Sequence, residues 1–357
     1  MKKTHLIGLK KQELEDFVQR LGEKRFRAEQ LFKQIHSRRI LNFNEMTDLP
    51  KVFRLKLHDY ASVSTLKLES RFLSADGTRR YLMITEDNLP VETVFIPSEG
   101  RDTICFSSQS GCPLKCDFCL TAQLGLLRSL SAAEIIEQII IVLNDVYGVG
   151  AKTPHGTNLV AMGAGEPFLN FENLVRAVEI ISDKDGLFIV PKRITVSTAG
   201  IVPKIYEFAQ LKLRPNLAIS LSATTDELRN RLMPINRRWN LEELMKAVSY
   251  FEKKLKRGEY ITFEYVMLDR VNDSIDDARR LVKLIEDYKL KKVKINLIPH
   301  NTADALAYRS SPDEKIESFQ KFLQRKGLPV YIRRPRGRDI YAACGQLAAR
   351  SQPVGTE

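Results

Sequence analysis

Five cysteines and one tryptophan in 357 residues leave little material for a disulfide framework, and their uneven spacing excludes one. Long apolar runs are missing too. The longest, Ile139 to Leu143, is far short of a membrane span. The first residues, MKKTHLIGLKKQ, start basic but lack the apolar stretch and small-residue cleavage site of a secretory signal, so the cytoplasm is the expected location. Internal repeats and low-complexity tracts are absent. The five histidines, His155 and His300 among them, show no metal-ligand spacing and are assigned no role. What remains, at 43% hydrophobic and 28% charged residues, is a soluble globular chain with length for one large domain or two to three smaller ones.

Positive charge is present in excess. The formal net charge is +12, and residues 1–60 carry half of the surplus, with 14 Lys and Arg against 8 Asp and Glu. A second basic cluster, Arg333, Arg334, Arg336 and Arg338, lies near the C-terminus. Two separated basic regions make nucleic acid the leading partner, the alternative being a generally basic, solvated surface.

Apolar spacing divides the chain. Leu14, Phe17, Val18 and Leu21 recur at helical intervals, and Phe26, Leu31, Phe32 and Ile35 mark a second short helix beyond Gly22. A small basic helical unit is expected to end before Thr65. Strands follow at Leu66–Ser70, Tyr81–Thr85 and Val91–Ile96, the first two joined by an Asp76-Gly77 turn. After Gly100 short β-branched strands alternate with amphipathic helices. Strands are expected near 103–107, 157–162, 192–197, 216–221, 260–267 and 293–298. The helices begin at a Ser131/Glu134 capping box and near Phe171, Pro203, Leu241, Asp276 and Pro312. Six βα units predict an α/β fold with a parallel sheet forming an open or partial barrel. The expected division is 1–62 (basic helical accessory domain), 63–98 (β extension), 99–350 (barrel) and 351–357 (flexible tail).

Cys112, Cys116 and Cys119 stand at i, i+4 and i+7 directly after the first barrel strand. Structural zinc usually takes four ligands as two separated pairs. Three thiolates from one loop suit an iron–sulfur cluster with one iron open to substrate. The other loops at strand C-termini, where barrel chemistry gathers, offer Gly163-Ala164-Gly165-Glu166-Pro167, whose carboxylate suits the ammonium of a bound amino acid. They also carry Ser197, Ser220-Leu221-Ser222 and Asn301, side chains equally at home as turn or cap residues.

The cysteine pattern resembles the signature of radical S-adenosylmethionine (SAM) enzymes. The runs VETVFIP, SSQSGCPLKCDFC, MGAGEP, LAISLSA, RLMPIN, FEYVMLDRVNDS, KINLIPHNT and RGRDIYAACGQLA resemble the RlmN branch of the RlmN/Cfr family over nearly the whole chain. The resemblance implies a partial (β/α)6 barrel of the radical SAM type and methylation of an adenine ring carbon in RNA. It makes Cys112, Cys116 and Cys119 ligands of a 4Fe-4S cluster, and Gly165, Glu166, Ser197, Ser220, Leu221, Ser222 and Asn301 SAM contacts. Cys344 becomes the methyl-carrying cysteine, with Glu92 and Cys105 the acid/base candidates. Two positions depart from the family pattern: Ala164 stands where Met is usual, and Ser222 where His is usual. Both flank SAM positions and read as local repacking of the cofactor pocket.

Adenine carbons 2 and 8 lie between nitrogens and are not nucleophiles, so they cannot attack the methyl of SAM directly; a radical avoids that barrier. The resemblance implies two SAM molecules per turnover. One methylates Cys344; the other supplies a 5′-deoxyadenosyl radical that takes hydrogen from the methylated sulfur. The implied substrates are 23S rRNA near the peptidyl transferase centre and tRNA beside the anticodon, with carbon 2 the expected position and carbon 8 the alternative. A flavodoxin- or ferredoxin-type electron donor and a monomeric state are also expected. Two competing readings differ in class: a radical activase acting on a protein, which gives Cys344 no role, and a basic RNA-binding protein with a structural metal site. By residue type alone Cys344 and Cys105 read equally as core thiols, Cys105 also as a fourth metal ligand, and Glu92 as the outward residue of an exposed strand.

Overall fold

Apolar residues at helical spacing build α1 (Lys11–Arg20), α2 (Phe26–Phe32) and α3 (Lys51–Tyr60), which bury Leu14, Phe17, Val18, Leu31, Phe32, Phe53 and Leu57 against one another. A two-residue parallel pairing of β1 (Thr4–His5) with β2 (Ala61–Ser62) ties the ends of this bundle together. The computed structural model describes residues 3–302 and 306–347; the tail expected at 351–357 lies outside the described residues.

Ten strands form one sheet in the order β14 (Val330–Ile332), β13 (Val293–Pro299), β12 (Ile261–Met267), β11 (Asn216–Ser220), β10 (Ile194–Thr198), β9 (Thr157–Ala161), β6 (Asp102–Phe106), β5 (Pro90–Ile96), β4 (Arg79–Thr85) and β3 (Leu66–Leu73). From β14 to β6 every pairing is parallel; β6, β5, β4 and β3 pair antiparallel. The six expected βα strands are present, each within a few residues of its expected position. β14 adds a seventh parallel strand that the sequence reading did not include. The three strands before Gly100 continue the barrel sheet through β5 and β6. Their hairpin carries the Asp76-Gly77 turn, where Thr78 N–H bonds Asp76 Oδ1 at 2.9 Å.

The principal crossover helices are α5 (Ala132–Tyr147), α6 (Phe171–Ile181), α7 (Val202–Phe208), α9 (Leu241–Glu252), α10 (Ile275–Asp287) and α11 (Asp313–Arg325). α5 begins at the anticipated capping box: Glu134 N–H bonds Ser131 Oγ at 3.2 Å, and Ser131 N–H bonds the Glu134 carboxylate at 2.8 Å. Along β9, β10 and β13 the residues facing the helices are buried and their alternates only half-buried, so the inner face of the sheet is an open funnel. Ser197, Ser220, Glu264 and Asn296 lie on that face. Among the described residues no helix is long and apolar enough to cross a membrane.

The helical bundle is fastened to the barrel through α5 and α6. Gly8 lies so close to Ala133 that an added Cβ would approach its side chain to 3.1 Å. Arg176 donates to Gly8 O and forks onto Glu13, while Arg39 donates to Gly148 O and Ala151 O. Between bundle and sheet, buried Glu137 of α5 accepts from Ser64 Oγ, Thr65 N, Thr65 Oγ1 and Leu66 N at 2.5–3.1 Å. Burial pushes its carboxyl up to about 7 even though those four bonds favour the anion. A carboxyl raised on folding binds more protons folded than unfolded, so its contribution to stability is full below about 4.5 and is lost as pH rises through 7. Urea unfolding should therefore show wild-type stability falling between pH 5 and 8. Glu137→Gln should be less stable throughout, since its amide faces donors, but flatter over that range; an unchanged slope contradicts the assignment.

Candidate active site

The cysteine loop is bounded by a hairpin whose strands are too short to be seen as sequence periodicity: β7 (Gln109–Gly111) pairs antiparallel with β8 (Leu126–Ser129). At its base Gly111 has φ +75°, and an added Cβ would sit 1.9 Å from Gly125 O, so only glycine fits there. Between the strands, Cys119 caps the short helix α4 (Leu120–Gln123). Burial raises the pKa of all three thiols, and Cys119 adds to the rise at both Cys112 and Cys116, so the loop brings them close together. Cys112 is pushed up to about 12. Among the described residues no three His, Cys, Asp or Glu side chains gather tightly enough to hold a single ion.

Facing this loop is Gly163–Pro167. Its glycines are required by the chain's own packing. A Cβ on Gly165, φ +104°, would stand 2.6 Å from Gln109 Cβ, and one on Gly163 would stand 2.7 Å from Phe106 O. Glu166 is buried; Phe168 N–H and Ala199 N–H donate to its two oxygens at 3.0 and 2.8 Å. Burial pushes this carboxyl up to about 7 against those bonds. It has lone pairs to spare, and a ligand ammonium would supply the missing countercharge.

On the neighbouring strand ends, Ser197 Oγ and Ser220 Oγ lie 3.3 Å apart. Leu221 is fully buried, and its N–H donates to Glu264 O. Ser222 adopts φ +50°. It is buried, with Val266 N–H donating to its Oγ at 3.4 Å and Asn272 Nδ2 to its carbonyl at 2.8 Å. These loops are held by Arg229, a residue the sequence reading missed. Its buried guanidinium donates to Ala199 O, Ser220 O, Leu221 O and Asn236 Oδ1, and burial lowers its pKa to about 10. A charged residue three and four positions before buried Leu232 and Met233, on the apolar face of α8 (Asp226–Leu232), was the available signal.

The C-terminal segment brings the last thiol to the mouth. Asn301 Nδ2 donates to Cys344 O at 3.0 Å, Leu120 N–H to Gly345 O at 2.8 Å, and Thr121 Oγ1 to Leu347 O at 2.6 Å. Asn301 Oδ1 accepts from Arg338 Nε, so both ends of that amide serve this segment. Cys344 is accessible to solvent but enclosed by the mouth, and burial pushes its thiol up to about 11; Glu264 and Cys119 add to the rise and Arg333 opposes it. Cys105 is buried on β6 among Val94, Ile340, Ala342 and Leu347. Its pKa is raised by burial first and by Cys344 second, which places the two thiols in one neighbourhood.

Glu92 on β5 is buried, not the outward residue of an exposed strand. Arg80 Nη1 donates to its carboxylate at 2.6 Å, with the guanidinium over the Phe72 ring at 4.3 Å. Glu92 lines a cavity of about 150 Å³ with Ser110, Ala164 and Leu347. The small side chain at 164 is part of what leaves that space open.

A model of the ribosomal RNA large subunit methyltransferase N-terminal domain matches residues 4–63, and the radical SAM superfamily model matches residues 106–285. A dual-specificity RNA methyltransferase RlmN of Geobacter sulfurreducens is 45% identical over 343 residues, covering 96% of this chain and 91% of the relative. The chain belongs to the RlmN family. A second RlmN, of Geotalea uraniireducens, is 44% identical, covering 98% of each chain. The crystal structure of a radical SAM methyltransferase from Sphaerobacter thermophilus superposes with TM-score 0.92 at 36% identity, covering 97% of this chain and all of the other. Membership in the RlmN family brings a 4Fe-4S cluster and SAM, and the three-thiol loop and the carboxylate at Glu166 fit those groups.

Changing Cys112, Cys116 or Cys119 to Ala should lower iron content and abolish SAM cleavage, since no further cysteine lies in that loop. Iron analysis and assay of 5′-deoxyadenosine check this; full iron with full cleavage in any variant contradicts the ligand assignment.

Proposed function

We propose that this chain methylates carbon 2 of an adenine in 23S rRNA and of the tRNA adenine beside the anticodon, with Cys344 as methyl carrier. The observation that carries this reading is the placing of Cys344 in the barrel mouth, against the cluster loop through Gly345 and Leu347 and beside Cys105. A radical activase has no use for that thiol. The cluster and SAM supply the methyl group and, by reductive cleavage, the radical chemistry that a non-nucleophilic ring carbon requires.

The chain's own residues do the rest. Cys112, Cys116 and Cys119 hold the cluster. Glu166 receives the SAM ammonium; Ser197, Ser220 and the backbone around Gly165, Leu221 and Ser222 border the same ligand, and Asn301 acts on it from the Cys344 side. The methyl group on the Cys344 sulfur gives up one hydrogen atom to the 5′-deoxyadenosyl radical, and its carbon adds to the ring, joining RNA to protein. The adduct, a ring radical, would return one electron to the cluster as a base takes the ring proton; a second thiol then takes the Cys344 sulfur as a disulfide, its hydrogen passing to the released methyl group. Cys105 stands beside Cys344 for these tasks, and Glu92, held by Arg80, is the second candidate base. The basic helical bundle and the Arg333–Arg338 run grip phosphates while the target base is extruded into the mouth. The protein works as a cytoplasmic monomer supplied by a flavodoxin- or ferredoxin-type donor.

Cys344→Ala should keep cluster and SAM binding yet transfer no methyl. Cys105→Ala should still load Cys344, begin the reaction, and stall as protein joined to RNA through Cys344. Denaturing gels, nuclease digestion and peptide mass spectrometry distinguish these outcomes. Methylation by Cys344→Ala overturns the carrier role; normal turnover by Cys105→Ala transfers the base role to Glu92.

A further inference from the structure

The cluster loop has two sides. Phe118 to Thr121 face the C-terminal segment: Phe118 O accepts from His300 Nε2 when that nitrogen carries the proton, and Leu120 and Thr121 bond Gly345 and Leu347. Pro113, Leu114 and Lys115 face away from that contact, toward the helical turn Pro234–Arg237 and Arg238, with a cavity of about 360 Å³ between. The floor of this groove is apolar, from Pro113, Leu114, Pro234 and Ile235. Its rim carries three exposed cations, Lys115, Arg237 and Arg238.

Those cations are not consumed by the fold. None has a carboxylate at ion-pairing distance among the described residues. Arg238 lies over the Trp239 ring at 4.5 Å, and Asp117, the one acidic residue of the loop, bonds the Tyr308 hydroxyl at 2.6 Å. Two of the cysteines, Cys112 and Cys116, bracket the three loop residues that form one wall. A partner in the groove would meet the loop between Cys112 and Cys116, apart from the Phe118 to Thr121 stretch that contacts His300 and the Cys344 segment.

We propose that this groove is the docking site of a small acidic flavodoxin-type one-electron donor, an inference that rests on the cluster being held by Cys112, Cys116 and Cys119. One electron leaves the donor's flavin, an anionic hydroquinone that becomes a neutral semiquinone, and passes to the cluster; no proton moves and no bond is made or broken. A short apolar floor within a ring of unpaired positive charge suits such an encounter. Redox partners meet over small interfaces, below about 1,200 Å² in total, and charge complementarity sets their association rate. A phosphate backbone would also be drawn to this rim, but the apolar floor gives it nothing to bury, and the basic helical bundle and the mouth lie elsewhere.

The test uses the cluster-loaded protein and reduced flavodoxin at low salt. R237E/R238E should weaken flavodoxin binding at least tenfold and slow its reduction of the cluster by a similar factor. Iron content, reduction by dithionite and RNA affinity should stay at wild-type values, and R237K/R238K should restore binding. In wild type, carbodiimide coupling to flavodoxin followed by peptide mass spectrometry should join Lys115 to a flavodoxin carboxylate, which keeps the test valid if the double variant loses its iron. Unchanged flavodoxin affinity and reduction rate, coupling confined to other lysines, or a loss of RNA binding with flavodoxin unaffected overturns the docking site. Failure of dithionite to reduce wild type would instead overturn the cluster reading beneath it.

Discussion

A hydrogen bond from Thr121 to Leu347 O spans 226 positions of sequence, and with the Leu120–Gly345 bond beside it determines where Cys344 stands. The segment Cys344 to Leu347 is laid against the loop that carries Cys112, Cys116 and Cys119. It is fixed from the opposite side by the β3–β4 hairpin: Asp339 accepts from Ser74 Oγ and Ala75 N–H, and Asp76 accepts from Gly337 N–H. The hairpin therefore extends the barrel sheet and also braces the segment that bears Cys344, the proposed methyl carrier. A carrier that must exchange carbon with one ligand and then with a nucleobase has to be held at one place, because misplacement by an ångström costs orders of magnitude in rate.

The separation of tasks follows from that arrangement. Buried groups do the holding: Arg229 gathers four acceptors from neighbouring loops and a neighbouring side chain, and buried Gln138 bonds Ser107 through both N–H and C=O, fixing the chain ahead of the cysteine loop. Cys344 alone of the five cysteines is exposed. Ala164 borders an open cavity beside Glu92, and Ser222 is built into backbone hydrogen bonds with β12 and Asn272.

Much of this was legible in the sequence because it is local. The Ser131/Glu134 cap, the six βα units, the helical spacing of the first two helices and the three clustered cysteines all declare themselves within a few residues. What was not legible depends on partners far apart in the chain or on elements too short to show a period. The β7–β8 hairpin and β14 have strands of three or four residues. Glu92 reads as an outward residue until the register of β4 and β5 brings Arg80 to it. Asn301 gives no sign in the sequence of its bonds to Cys344 O and Arg338, partners some forty positions away.

The central claim is that a thiol held at the barrel mouth delivers carbon to an adenine ring carbon of RNA. Mass spectrometry of nucleosides from 23S rRNA and tRNA, after incubation with the reduced protein and SAM, reports substrate and ring position together. The account predicts 2-methyladenosine in both RNAs. Methylation at carbon 8, methylation on an adenine nitrogen, or unmodified RNA alongside vigorous SAM cleavage would contradict it.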